Sequence, residues 1–229
     1  MPLSQVVRVA TEPANPWFTW RYVRDDRDFI VSMLEQHIRL TVEAVIVALL
    51  VAVPLALIAR RWRWLAGPIL GASAVLYTIP SLGLFAVLAP FTGFTLERTV
   101  LVGLVVYALL VLVRNTIAGL QGVPADVVEA ARGMGYGGAR LLWRIELPLA
   151  LPVIMTGVRI ATVSTVALVT IGVINGNGGL GQVIFRGFQS DYKAQVMTGT
   201  VLCLALALLA DLLLMLLTRA LTPWARSRA

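Results

Sequence analysis

Between Glu129 and Pro148 the chain reads EAARGMGYGGARLLWRIELP. This polar, arginine- and glycine-bearing island lies between two long apolar runs, and its reading decides the fold. Its fixed points are Glu129-Ala130-Ala131, then Gly135 after three residues, then Ile145-x-Leu147-Pro148 after nine more. Residues 125–134 suit a short helix. Pro124 precedes them, Asp126 favours the positive end of the helix dipole, and Ala130 and Ala131 let a partner approach closely. Gly135 permits a sharp turn that a Cβ would obstruct, and Gly137 and Gly138 add room. ARLLWRIEL restarts a helix, and Pro148 marks the entry to the next apolar run, where a missing N–H costs little.

The surrounding composition belongs to a membrane protein. Of 229 residues, 59% are hydrophobic and 14% are charged, against about 25% charged in a soluble domain. The net charge of +7 does not point to nucleic acid, because the cationic residues are arginines scattered at segment ends, with Lys193 as the one lysine. A phosphate-binding G-x-x-x-x-G-K-[ST] motif is absent. His37 is the single histidine and Cys203 the single cysteine, which leaves no histidine-based metal cluster and no internal disulfide. Residues 1–36 are polar and aromatic, without the apolar core of a signal peptide.

Five stretches are long enough, at about 20 apolar residues, to span a bilayer: about 38–59, 65–90, 99–120, 149–174 and 195–218. The expected class is therefore an all-α integral membrane protein. It has an outer N-terminal segment (1–37), a spanning domain (38–221) with a connecting loop at 121–148, and a tail (222–229). Arginines set the orientation. Arg60, Arg61 and Arg63, then Arg132, Arg140 and Arg144, then Arg219, Arg226 and Arg228 share one side, taken as cytoplasmic. Five spans and a cytoplasmic tail place the N-terminus outside, despite Arg8, Arg21, Arg24, Arg27 and Arg39 there. Residues 26–37 carry Phe29, Ile30, Met33 and Leu34 at helical spacing, with Trp17, Phe18, Trp20 and Tyr22 ahead of them; this predicts an amphipathic helix lying at the outer interface.

Ionisable residues inside spans need partners. Arg114, Arg159 and Asp211 all fall in the cytoplasmic half, so Asp211 is expected to pair with Arg159 or Arg114. Thr156, Thr162, Ser164, Thr165 and Thr170 give the fourth span a polar stripe, expected to hydrogen-bond between helices. Pro80, in Tyr77-Thr78-Ile79-Pro80-Ser81, frees a carbonyl and predicts a kink. The outer loop NGNGGLGQVIFRGFQSDYK, with Gly176, Gly178, Gly179 and Gly181, is expected to exclude a rigid helix and to serve as an outer gate or docking site.

The Glu129–Pro148 island resembles the cytoplasmic loop by which permease subunits of type I ATP-binding-cassette importers dock on their ATPase. Further stretches resemble the osmoprotectant branch, which moves glycine betaine, carnitine, choline or proline: Tyr77-Thr78-Ile79-Pro80-Ser81-Leu82, Val113-Arg114-Asn115-Thr116, Glu146-Leu147-Pro148-Leu149-Ala150-Leu151-Pro152, Gly157-Val158-Arg159 and Gly178-Gly179-Leu180-Gly181. The resemblance covers about residues 35–224. Residues 1–34 match nothing in it, and Ile174-Asn175-Gly176-Asn177 is less apolar than the branch pattern.

This resemblance implies a coupling-helix loop between spans three and four. Glu129, Ala130, Ala131, Arg132, Met134, Gly135 and Tyr136 would insert into a groove on the nucleotide-binding subunit, with Glu129 tied by hydrogen bonds or an arginine so that it holds the two short helices together. It implies two ATPase copies that bind ATP and Mg, a second permease (a sister chain or itself), an extracytoplasmic binding protein, and a location in the bacterial cell membrane. This chain would bind no cofactor and catalyse no covalent step. Candidate pathway or gate residues are Tyr77, Pro80, Ser81, Arg114, Asn115, Thr162, Thr165, Gly178 and Gly179. Methionine-type amino-acid importers share the core and are the second expectation. A stand-alone carrier predicts internal repeats and a mid-membrane charge relay, and a membrane enzyme predicts a carboxylate pair or nucleophile–base set; the sequence contains none of these.

Overall fold

A computed structural model describes residues 15–92 and 97–224. Among them every regular element is helical: α1 (Trp20–Asp25), α2 (Arg27–Arg61), α3 (Ala66–Thr78), α4 (Ser81–Thr92), α5 (Glu97–Gln121), α6 (Ala125–Gly133), α7 (Gly138–Leu141), α8 (Leu147–Val169), α9 (Leu180–Gln189) and α10 (Lys193–Leu221). A π-helical stretch, Leu142–Glu146, joins α7 to α8, and a 3₁₀ stretch, Thr170–Asn175, ends α8. Among the described residues four helices are long and apolar enough to cross a bilayer: α2, α5, the run Gly138–Asn175, and α10; α3 with α4 adds a fifth if the bent pair is one span. The expectations for residues 1–14, which include Arg8, and for the tail arginines Arg226 and Arg228 lie outside the described residues.

The core is the contact of α2, α5 and α8. Ala44, Ala48, Ala52 and Ala56 recur every four residues along α2, and all four are fully buried. In lipid there is little hydrophobic gain from joining helices, so small residues that bring backbones into van der Waals contact carry the packing. The same device joins α5 to α8. A Cβ on Gly157 would stand 2.5 Å from the Asn115 Cβ, and one on Gly119 would stand 2.9 Å from the Ala150 carbonyl oxygen.

Two expectations about the spans change. Residues 26–37 do not form a separate interfacial helix; they are the first turns of α2, which continues for 35 residues without a glycine or proline before Pro54. Their apolar face is taken up by α9 and α10: Ile30 packs with Tyr22, Leu180 and Val183, flanked by Phe29, Met33 and Leu34. Burial among these groups, with Asp26 adding to it, pushes the Tyr22 hydroxyl up to about 12. The second span is not one helix with a kink. α3 and α4 meet at 97° across Ile79-Pro80, because Ile79, preceding a proline, takes an extended ψ of 127° that ends α3.

The outer loop also departs from expectation. Its glycines confine the irregular backbone to residues 176–179, and α9 begins at Leu180. Gly176 and Gly179 take positive φ of 76° and 52°. Gly181 lies inside α9, where a Cβ would stand 2.3 Å from the Thr170 carbonyl oxygen, so it is there for close approach.

Candidate coupling loop and translocation pathway

The loop after α5 builds a small projecting unit. α6 ends in two crossed hydrogen bonds: the Gly135 N–H donates to the Arg132 carbonyl at 2.9 Å, and the Tyr136 N–H donates to the Ala131 carbonyl at 3.1 Å. This is the Schellman closure, which needs a left-handed residue at the glycine position. Gly135 supplies it at φ 84°. Beyond its chain neighbours nothing lies within 4 Å of where its Cβ would be, so the glycine is required by conformation and not by crowding.

Ala131 and Leu141 are buried between the two short helices. Glu129, Ala130, Arg132 and Met134 are exposed, Tyr136 is half-buried, and Arg140 lies over the Tyr136 ring at 6.0 Å. Of the seven residues named from the sequence, all but Ala131 and Tyr136 are exposed.

Glu129 does not hold the two helices together. It points away from Ala131, the residue that α6 turns inward, and makes no hydrogen bond or ion pair among the described residues. The carboxylate that ties this region is Glu146, paired with Arg60 from the end of α2. The Glu146 side chain is 5% exposed and that of Arg60 31%. This pair was missed from sequence; a glutamate abutting Leu147-Pro148 opposite the Arg60-Arg61 run is the signal that could have found it.

α7, the π stretch and α8 run on as one continuous helix into the membrane. The π stretch has a local cause. Pro148 has no N–H to give the Arg144 carbonyl and its ring crowds that carbonyl; the ladder widens over Leu142–Glu146, which contains Arg144. Wide turns of this kind recur at functional positions in helices.

Within the membrane, Arg159 holds Asp211 with two hydrogen bonds of 2.8 Å, Nε to Oδ1 and Nη2 to Oδ2. Arg114 is not Asp211's partner: α10 packs on α8 and α9, whereas Arg114 is exposed on α5 and makes no hydrogen bond or ion pair among the described residues. The hydroxyl stripe of α8 does not join helices as expected. Thr156 and Thr162 donate to the carbonyls of Pro152 and Val158, four residues back in their own helix, and Thr170 donates to Ala167. Thr165 is buried. Asn115 donates to Val111 on its own helix and packs on Gly157.

The α3–α4 break is held by Tyr107, whose hydroxyl donates to the Ile79 carbonyl. Tyr77 and Tyr107 meet edge to face at 5.7 Å. Pro80 is exposed and Ser81 begins α4. Beyond them a cavity of about 770 Å³ opens between Leu82, Phe85, Ala86 and Ala89 of α4 and the turn Ile174–Asn177.

The glycine loop is latched to α2. Gly179 N–H donates to Gln36 Oε1 at 3.1 Å, and Leu180 N–H donates to His37 Nδ1 at 3.2 Å. The fully buried His37 ring also bonds the Val166 carbonyl through Nε2 at 3.0 Å. Gln36 and Arg39 both hold Glu97, at the start of α5. A Cβ on Gly178 would stand 2.4 Å from the Val173 nitrogen. A lone histidine in the sequence gives no signal for such a latch.

Residues 44–227 match the family model described as "Binding-protein-dependent transport system inner membrane component". The chain belongs to this family. It is 36% identical over 210 residues to the osmoprotectant import permease protein OsmW of Salmonella typhimurium, covering 90% of this chain and 97% of that protein. It is 34% identical over 203 residues to the glycine betaine/carnitine/choline transport system permease protein OpuCD of Bacillus subtilis, covering 88% of each. Its fold is similar to that of a chain of the MetNI methionine ABC transporter in inward-facing conformations, with a TM-score of 0.73 at 22% identity over 85% of this chain and 97% of that one. The family member described here is thus an inner-membrane transport component with an all-helical permease fold.

Proposed function

We propose that this chain is the permease subunit of an ATP-driven importer of a compatible solute such as glycine betaine, carnitine, choline or proline. Two such subunits, identical or sister chains, enclose the path. Two ATPase subunits, which bind ATP and Mg, dock beneath, and an extracytoplasmic binding protein delivers the cargo. The N-terminus lies outside the cell membrane and the C-terminus in the cytoplasm, as the arginines of the α2 end, the coupling loop and Arg219 favour. No residue of this chain performs covalent chemistry; ATP hydrolysis belongs to the partner.

One observation carries the reading: an exposed helix–glycine–helix unit, Ala125–Leu141, stands at the end of a helix that runs unbroken into the membrane. A motor that moves this unit moves α8. ATP and loaded binding protein must then favour the same conformational state, because each can shift the equilibrium only by its differential affinity.

The test is uptake of radiolabelled glycine betaine by cells lacking their own uptake systems. These carry the whole transporter with the wild-type chain or Gly135→Asp. Uptake by the wild type and none by the variant, at equal membrane abundance, is expected. Equal uptake by both refutes the coupling role. No betaine uptake by the wild type refutes the solute class and directs a screen of amino acids, methionine first.

A further inference from the structure

Resting on the reading that the cargo carries a quaternary ammonium, we propose that the α3–α4 break is a station for that cationic head. It is built from the ring of Tyr77 and the bare backbone carbonyls of Tyr77 and Thr78. The break is deep in the bilayer. α3 runs 13 residues from the arginine-rich end of α2, about 20 Å of rise, and Tyr107 lies ten residues into α5, about 15 Å from its outer end.

The carbonyls at the end of α3 divide into two sets. Val75 accepts from the Thr78 hydroxyl, Leu76 from the Ile79 N–H, Ile79 from the Tyr107 hydroxyl, and Pro80 from the Leu84 N–H. The carbonyls of Tyr77 and Thr78 accept nothing among the described residues, since no hydrogen-bonded turn crosses the break. Backbone of this kind does not face lipid; it lines a water-filled or protein-covered space. The nearest cavity in sequence begins at Leu82, two residues past Pro80, and is lined by α4 and the turn at 174–177 and not by Tyr77 or Thr78 themselves.

Two unpaired carbonyl dipoles and the negative end of the α3 dipole favour a cation on the α3 side of the break, while the positive end of α4, which starts at Ser81, opposes it on the other side. Broken membrane helices use C-terminal ends and unwound carbonyls to hold cations. Tyr77 adds an aromatic face. Its residue surface is 45% exposed, while its contact with the buried Tyr107, itself tied to Ile79, fixes the ring. A methylated ammonium has no N–H to donate and a diffuse charge, which suits a π face and carbonyl dipoles. The site holds no carboxylate, so it attracts the cargo without trapping it, as passage requires. Glycine betaine, carnitine and choline, named for the Bacillus subtilis relative, share this head and differ elsewhere.

The experiment uses the complete transporter in proteoliposomes, with saturating loaded binding protein and either glycine betaine or choline. The chain is wild type, Tyr77→Phe or Tyr77→Leu. Tyr77→Phe should keep most of the transport rate. Tyr77→Leu should lose about 2- to 30-fold, the range of one cation–π contact, at equal membrane abundance. Fluorinated phenylalanines at position 77, which drain the ring face of charge, should lower the rate stepwise. Undiminished transport by Tyr77→Leu overturns the proposal, as does an equal loss in Tyr77→Phe or a flat fluorination series. A wild-type transporter that moves neither compound refutes the solute class itself, a result distinct from any pattern among the variants.

Discussion

Replacing Arg60 by methionine should destabilise the chain by about 2–3 kcal/mol. The magnitude follows from the burial of the pair. Exposed ion pairs contribute about 0–1 kcal/mol, whereas removing one partner of a buried pair costs about 3–5 kcal/mol, because the other charge is left without compensation. Glu146 is 5% exposed and Arg60 31%, so the loss falls between these limits, nearer the buried one. At about 2–4 °C per kcal/mol for a chain of this size, the midpoint of thermal unfolding in detergent should fall by roughly 4–12 °C. Glu146→Gln, which removes the charge but leaves a hydrogen-bonding group, should cost less. The double substitution Arg60→Met with Glu146→Met leaves no stranded charge and should return to within about 1 kcal/mol of the wild type. A shift below 1 °C for Arg60→Met, or a double variant as unstable as the sum of the singles, would refute the reasoning.

Gly135→Ala should cost about 1–2 kcal/mol of loop stability, the price of a Cβ at left-handed φ; amide exchange at Tyr136 should then quicken about 5- to 30-fold, with Gly135→Asn in between, and an unchanged rate would contradict the Schellman closure. Gly157→Ala should push α5 from α8 and cost about 1–3 kcal/mol; adding Asn115→Gly removes the facing Cβ and should restore the unfolding midpoint, and failure to do so would place the clash elsewhere. For the membrane ion pair, Arg159→Asp and Asp211→Arg should each lower the amount of full-length chain in the membrane, and the two together should recover it. No recovery would sink the pairing as a structural tie.

The long apolar runs made the membrane class and span count legible, and the Glu129–Pro148 pattern made the family legible, because both are written in consecutive residues. What escaped was written across helices. Residues 26–37 carry an apolar face whose partner consecutive residues do not name; α9 and α10 supply it. Pro80 announces a missing N–H but not a 97° turn, which depends on the ψ that Ile79 takes and on Tyr107 holding its carbonyl. The glycines at 176–181 predict turns, yet not that Gly181 serves a close contact inside a helix. The docking pattern points to Glu129 and carries no sign that Glu146 is the buried, paired carboxylate. Only the fold brings Arg60, 86 residues away, to Glu146.

The continuous helix from Gly138 to Asn175 also has mechanical proportions. Glu146, fastened to Arg60, divides it into a short arm of nine residues and a long arm of 29, roughly 13 Å and 43 Å. Pivoting there, a given displacement at the Gly138 end would become about three times larger beside the glycine latch. The widened turn at the fulcrum sets how much of each stroke is absorbed as bending. Stiffness at Leu142–Glu146, and not contact with cargo, would then govern how far the outer end travels per ATP.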